Sequence, residues 1–234
     1  MNQKINIIID LKKTITVTVT KPQPVSGKVI YLTIDDGPSA NTPAILDILD
    51  QYNVKATFFV TAQSPNYLDY IRIAHEKGHS IGLHTYSHNY AQVYANEAAY
   101  FSDLQAISDV VYEKTGVRSH IIRFPGGSSN TVSANYNSGI MSRLSKEVQN
   151  KGYQYFDWNA ASGDGNSALP ASTLIQTAKS YGNYPSVMML THDHSGSHSS
   201  VETLPEIISY YQNLGYTFET VDVNTNGYHH GINN

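Results

Sequence analysis

The 234-residue chain contains no cysteine. Disulfides, thiol nucleophiles and Cys-based zinc or iron–sulfur sites are therefore excluded, while the compartment is left open. Charged side chains are scarce at 15%, against about a quarter in an ordinary globular protein. A net charge of −4 and a pI near 6.2 leave no electrostatic footprint for nucleic acid or an anionic membrane. No stretch approaches the roughly 18 apolar residues of a membrane span. The N-terminus lacks an apolar signal core, so an exported protein is expected to have lost its signal from this sequence. What is abundant is tyrosine, with 18 copies. Its flat apolar face and polar tip suit sugar contacts, although many tyrosines simply pack. Hydrophobic residues make up 40%, enough for one sizeable core and one main domain.

Residues 1–27 read as an appendage. Ile5–Ile9 and Thr14–Thr20 are β-branched runs on either side of Asp10-Leu11-Lys12-Lys13, and the second alternates Thr with Ile or Val. That pattern predicts a hairpin, and Lys21–Gly27, with two prolines, predicts a linker into a main body over 28–234. From residue 28 a strand–helix rhythm begins. Strands are expected at 29–34, 55–60, 79–83, 120–124, 153–158, 186–191 and 216–222. Helices are expected from Pro43 and over 66–77, 96–115, 138–151, 171–181 and 200–214. Gly78, Gly116, Gly152, Gly182 and Gly215 follow five of them as stop signals. The alternation implies an α/β fold with a parallel sheet and right-handed crossovers, either open or closed into an incomplete barrel.

The polar residues then fall on one rim. Asp35 and Asp36 follow the first of these strands, His84 the third, Arg123 closes the fourth, Asp157 and Asp164 flank the end of the fifth, and His192 follows the sixth. Carboxyl ends of parallel strands are where such folds assemble their sites. In Thr33-Ile34-Asp35-Asp36-Gly37-Pro38 two adjacent carboxylates leave a strand on opposite faces, which suits one metal ligand and one proton acceptor. The competing reading is a turn and a helix cap. His84-Thr85-Tyr86-Ser87-His88 spaces two imidazoles as neighbours on a helical turn. With one of the two carboxylates they form a three-ligand set with open positions, the catalytic form of a zinc site. A bound ion would bring the pKa of its water from about 15.7 toward roughly 7 and polarise an acyl oxygen. The other aspartate would serve as base, oriented by Arg123, and N–H groups in the Pro125-Gly126-Gly127 turn suit an oxyanion. His192, the first residue off its strand, is the expected proton donor. His75, His79, His120, His229 and His230 show no partner pattern and read as structural or exposed.

Together these residues resemble the polysaccharide deacetylases of carbohydrate esterase family 4, the NodB-homology domain, in motif order over residues 28–222. The resemblance implies an incomplete, distorted (β/α)7 barrel. It implies Asp35 as general base, Asp36, His84 and His88 as metal ligands, and Arg123 as the brace of the base. It further implies that Gly126 N–H contacts the oxyanion, His192 is the general acid and Leu190 is a wall of the acetyl pocket. The fourth motif, usually Asp-x-x-Asp-Trp, departs from the pattern. Asp164 or Asp157 would tune the acid histidine, with Asp164 preferred, and Gly165 stands where Trp is usual.

The expected function is a metal-dependent N-deacetylase, with Zn2+ or another divalent ion such as Co2+, acting on an N-acetylglucosamine glycan such as peptidoglycan or chitin-like oligomers. A monomer is expected, and the family relation further implies a place outside the cell or at the cell wall. The alternatives are an O-acetyl esterase on acetylated xylan, a non-catalytic carbohydrate-binding module, and, because two His and a carboxylate also suit Fe(II), a non-haem iron oxygenase.

Overall fold

The computed structural model describes residues 27–165, 169–194 and 200–234, together with the backbone of two strands at 3–9 and 13–19. Those two strands, β1 (Gln3–Ile9) and β2 (Lys13–Val19), pair antiparallel with Gln3 opposite Val19 and Ile9 opposite Lys13. The pairing is the one the β-branched runs predict; the intervening turn and the linker lie outside the described residues.

The main body alternates strands and helices. Its strands are β3 (Val29–Asp35), β4 (Thr57–Val60), β5 (Ser80–Leu83), β6 (Ile121–Ile122), β7 (Gln154–Tyr155), β8 (Ala160–Ala161), β9 (Ser186–His192) and β10 (Thr217–Phe218). Its helices are α1 (Thr42–Gln51), α2 (Asp69–Glu76), α3 (Tyr90–Val93), α4 (Glu97–Thr115), α5 (Ile140–Asn150), α6 (Ala171–Lys179) and α7 (Ser200–Asn213). All pairings in this sheet are parallel, in the order β7-β6-β5-β4-β3-β9-β8, with β10 alongside the start of β3. The expected helices all form, and α3 is an addition.

The sheet must curl, and chain connectivity shows why. Laid flat, the two edge strands β7 and β8 would stand six strand spacings apart, about 29 Å. Only residues 156–159 join them, and five peptide steps reach at most ~18 Å. The stretch expected as one strand over 153–158 is therefore two short ones. The chain leaves β6 after Phe156, whose N–H still donates to Ile122 O at 2.9 Å, and joins β9, where Asn159 N–H donates to Met188 O at 3.2 Å and the Asn159 side chain bonds Ser186 O and Met188 N–H. The architecture is a distorted (β/α)7 barrel with a seam between its edge strands, β7 and β8.

Strand alternation sorts the side chains into two compartments. Ile30, Leu32 and Ile34 of β3 join the large core beneath the helices, together with Phe58, Leu104, Leu144, Ile207 and others, all essentially inaccessible. Tyr31, Thr33 and Asp35 face the other way. Phe59, Ile121, Phe156, Met188 and Val221 form a separate apolar plug on that inner side, with Tyr31 and Tyr228 against it. Gly116 ends α4 in the left-handed conformation at φ 73°, as a C-terminal stop requires. Gly182 departs from that expectation: its φ is not positive, and an added Cβ would lie 2.5 Å from the Tyr210 hydroxyl, so close packing explains the residue.

Candidate active site

β3 ends in the barrel at Asp35, and its parallel register sets Asp35 beside His192 at the end of β9. Asp36 then takes a left-handed backbone, φ 74°, a conformation rare for residues other than glycine and tolerated best by Asn and Asp. The turn is held by its surroundings: Thr61 N–H donates to Gly37 O at 2.7 Å and the Thr61 hydroxyl to Asp36 O at 2.8 Å. Two neighbouring carboxylates thereby reach one rim with different partners.

Asp35, 3% exposed, receives an Nη1–H of Arg123 at 2.8 Å. Arg123 follows β6 and has no accessible surface. Its guanidinium also donates to Thr33 Oγ1 at 2.7 Å, to Phe156 O at 2.9 Å and to Asp157 O at 3.0 Å, and it lies over the Phe59 ring at 4.3 Å. A buried cation is tolerated only when paired and hydrogen-bonded on this scale.

Asp36 Oδ1 lies 3.4 Å from His84 Nε2 and 3.3 Å from His88 Nε2, and the three atoms fall within 4.8 Å of one another. Buried, Asp36 Oδ1 has no hydrogen-bond partner among the described residues. His84 Nδ1 sits 2.7 Å from Arg123 O; a carbonyl only accepts, so Nδ1 carries the proton and a neutral ring turns the Nε2 lone pair toward the carboxylate. Acceptor atoms converging in a buried place are satisfied by a proton or a metal ion among them. Burial pushes the Asp36 carboxyl up, but the His84, His88 and His192 imidazoles outweigh it and hold Asp36 well below the usual carboxylate range. Burial likewise lowers His84, and Asp36 and Asp35 more than reverse this, while burial and His84 lower His88. The donor set, one carboxylate and two imidazoles, fits a divalent ion with open positions.

The two histidines are not on a helical turn, contrary to the spacing argument. His84 leaves β5 and His88 takes φ 51° in the loop before α3. Their rings are 5.1 Å apart. Asp103 shapes that loop from α4: its carboxylate accepts Tyr86 N–H at 2.6 Å and Ser87 N–H at 3.2 Å. Asp103 was not singled out from sequence, yet it carried a signal, being a carboxylate among the buried Tyr100, Leu104, Ile107 and Val111 of α4.

Opposite Arg123, His192 Nδ1 lies 2.8 Å from Asp164 Oδ1, and His192 N–H donates to Asp164 Oδ2 at 2.8 Å. Burial pulls this imidazole down; the Asp164 hydrogen bond and charge, aided by Asp35 and Asp36, lift it to about 9. Asp157 plays no part there. It accepts Ser128 N–H and hydroxyl at 2.7 and 2.5 Å and His230 N–H at 2.8 Å, joining the Gly126-Gly127 turn to the C-terminal segment. His230, read from the sequence as structural or exposed, is structural: it also sets its ring 2.6 Å from Trp158 O. Gly126 N–H donates to no group among the described residues. Leu190 is buried on β9, and Gly165 lies beside His192, where an added Cβ would be 3.4 Å from Cε1.

Tyr90 was also missed. Its ring is 5.7 Å from that of His88, and burial together with the Asp36 and Asp35 charges pushes its hydroxyl up to about 12.

Known proteins are similar to this chain in sequence and fold. The catalytic domain of peptidoglycan N-acetylglucosamine deacetylase from Eubacterium rectale superposes with a TM-score of 0.87 at 40% identity, covering 92% of this chain and 98% of that one. A peptidoglycan-N-acetylglucosamine deacetylase of Bacillus cereus is 29% identical over 209 residues, 86% of this chain and 72% of its own length. The bifunctional xylanase/deacetylase of Pseudobutyrivibrio xylanivorans is 29% identical over 197 residues, 83% of this chain and 30% of its own. The polysaccharide deacetylase family model matches residues 23–142, the half of the chain that carries both aspartates, the two histidines and Arg123, and the chain belongs to that family.

Proposed function

We propose that the protein is a metal-dependent deacetylase of an N-acetylglucosamine glycan, with residues 28–234 as its catalytic domain. The observation that carries this reading is the orphaned Asp36 Oδ1 facing two imidazole nitrogens, with a braced carboxylate on one side and a carboxylate-bound imidazole on the other. Asp36, His84 and His88 would hold the ion, of which zinc is the expected one and cobalt a substitute. Such an ion, when bound, activates water near neutral pH and polarises an acyl oxygen.

The remaining steps belong to the chain. Asp35 accepts the proton of the attacking water, and Arg123 keeps that carboxylate ionised and aimed. The unpaired Gly126 N–H faces the developing oxyanion. His192, protonated at neutral pH by virtue of Asp164, gives its proton to the leaving amine, and Leu190 bounds the acetyl methyl. Peptidoglycan is the favoured glycan, because the relatives named above include enzymes of that substrate, and the site of action would then be outside the cell or at the wall.

The test is acetate release from N-acetylglucosamine oligomers by protein treated with a chelator, before and after zinc or cobalt is restored. Release that depends on the restored ion is expected; release unaffected by chelation would sink the metal assignment. Acetylated xylan assayed on the same preparation separates the ester reading, which the xylanase/deacetylase relative keeps in view.

A further inference from the structure

α3 carries two tyrosines four residues apart, Tyr90 and Tyr94, whose rings meet edge to face at 5.5 Å. Residues at that spacing share a helix face, and both reach the Pro125-Gly126 turn. Their hydroxyls fare differently. The Tyr94 hydroxyl is buried and donates to Pro125 O at 2.7 Å. The Tyr90 hydroxyl has no hydrogen-bond partner among the described residues. It sits where a side chain at position 126 would stand: a Cβ added to Gly126 would lie 2.7 Å from it. Gly126 thus makes room for a phenol supplied from another element, and the edge of that phenol ring packs on the candidate ligand His88.

An unpartnered phenol beside an unpaired backbone N–H makes two donors at one place. A phenol keeps its proton at neutral pH, so it offers a hydrogen bond without competing as a base. Anchored by the Tyr94 bond beneath it, the pair is fixed before any ligand arrives, which is what stabilisation of a developing oxyanion requires. Resting on the deacetylase reading above, we infer that the Tyr90 hydroxyl is a catalytic donor to the substrate's acyl oxygen, acting alongside the Gly126 N–H. No bond is made or broken by Tyr90; its proton stays on the phenol throughout.

The experiment compares wild type with Tyr90→Phe, which keeps the ring against His88 and Tyr94 and removes only the hydroxyl. On N-acetylglucosamine oligomers with zinc restored, kcat should fall about 100-fold, the loss typical of one oxyanion donor, with KM within about twofold. Zinc content and Tm should match wild type. A second arm needs no turnover: calorimetric titration of the zinc-loaded protein with acetate, whose oxygen would meet the same donors, should show Tyr90→Phe binding about tenfold more weakly. An unchanged kcat, or a raised KM with kcat retained, overturns the assignment, the latter placing Tyr90 on the sugar instead. Lost zinc would show that it props His88. If wild type releases no acetate, the deacetylase reading fails on its own, and equal acetate affinities for the two proteins would still overturn the role given to Tyr90.

Discussion

Replacing Asp164 by Asn tests how His192, the proposed acid, is set. His192 ordinarily titrates near 6.5 and here is lifted to about 9, against a burial that pulls the other way; Asp164 supplies the chief lift and Asp35 and Asp36 the rest. That rise amounts to about 3 kcal/mol of preference for the charged imidazole. Asn removes the charge, and its amide group must face either His192 N–H or Nδ1–H, both of which now donate to Asp164. The imidazole should return to about 6.5 or below. At pH 8 the protonated fraction would drop from roughly nine-tenths to about 3%, a loss of about 30-fold in kcat/KM, whereas at pH 6 most activity remains. The sign for stability follows the same titration. A raised folded-state pKa stabilises fully below the unfolded value of about 6.5 and is lost as pH rises through about 9, so the variant's stability deficit should be largest in acid and shrink in alkali. The assay is acetate release across pH 6 to 9.5 beside an NMR titration of the His192 ring. An alkaline limb that coincides in the two proteins would refute the reasoning.

Asp35→Asn should retain bound zinc and lose activity by about 100- to 10,000-fold, while His84→Ala should lose the zinc itself; metal analysis and acetate release on both variants separate base from ligand. Arg123→Met should cost about 3–5 kcal/mol in urea unfolding, since it strands the buried Asp35 carboxylate without its partner, and a loss under 1 kcal/mol would show that the pair contributes little.

The residues that approach the site were legible because each is the ionisable residue that ends or directly follows a largely apolar strand, and the carboxyl ends of parallel strands share one rim. Asp35, His84, Arg123 and His192 all follow that rule. What escaped is everything that depends on closure. The segment 153–158 reads as one strand because apolar patterning describes only the neighbours of each residue, and it carries no sign that the chain leaves β6 for β9 between Tyr155 and Ala160. The same blindness hid Asp157. Beside a tryptophan it resembled a site residue, whereas its oxygens tie the Gly127–Ser128 turn to His230, more than seventy positions along the chain. The His84–His88 spacing pointed to two imidazoles that the structure does bring side by side, but not on a helical turn. Four residues also span a loop with a left-handed residue, and it is Asp103 on the nearby helix α4 that gives the loop its shape.

Arg123 shows why the seam and the site cannot be separated. A fully closed sheet would occupy the carbonyls of its last strand with a neighbour's N–H groups. Here the chain departs from β6 at residues 156–159, and the carbonyls of Phe156 and Asp157 point at a side chain instead. Arg123 Nε and Nη2 take those two, which leaves Nη1 for Thr33 and Asp35. Only a planar fork with donors on three nitrogens spans both tasks; a lysine, with one nitrogen on a flexible stem, would have to abandon either the seam or the carboxylate. The gap in the barrel thus positions the cation that orients the candidate base. Stability and turnover should therefore fall together in any Arg123 variant, whereas Asp35→Asn, which also leaves the buried guanidinium without its countercharge but keeps the seam's hydrogen bonds, should lose less stability than Arg123→Met for a comparable loss of turnover.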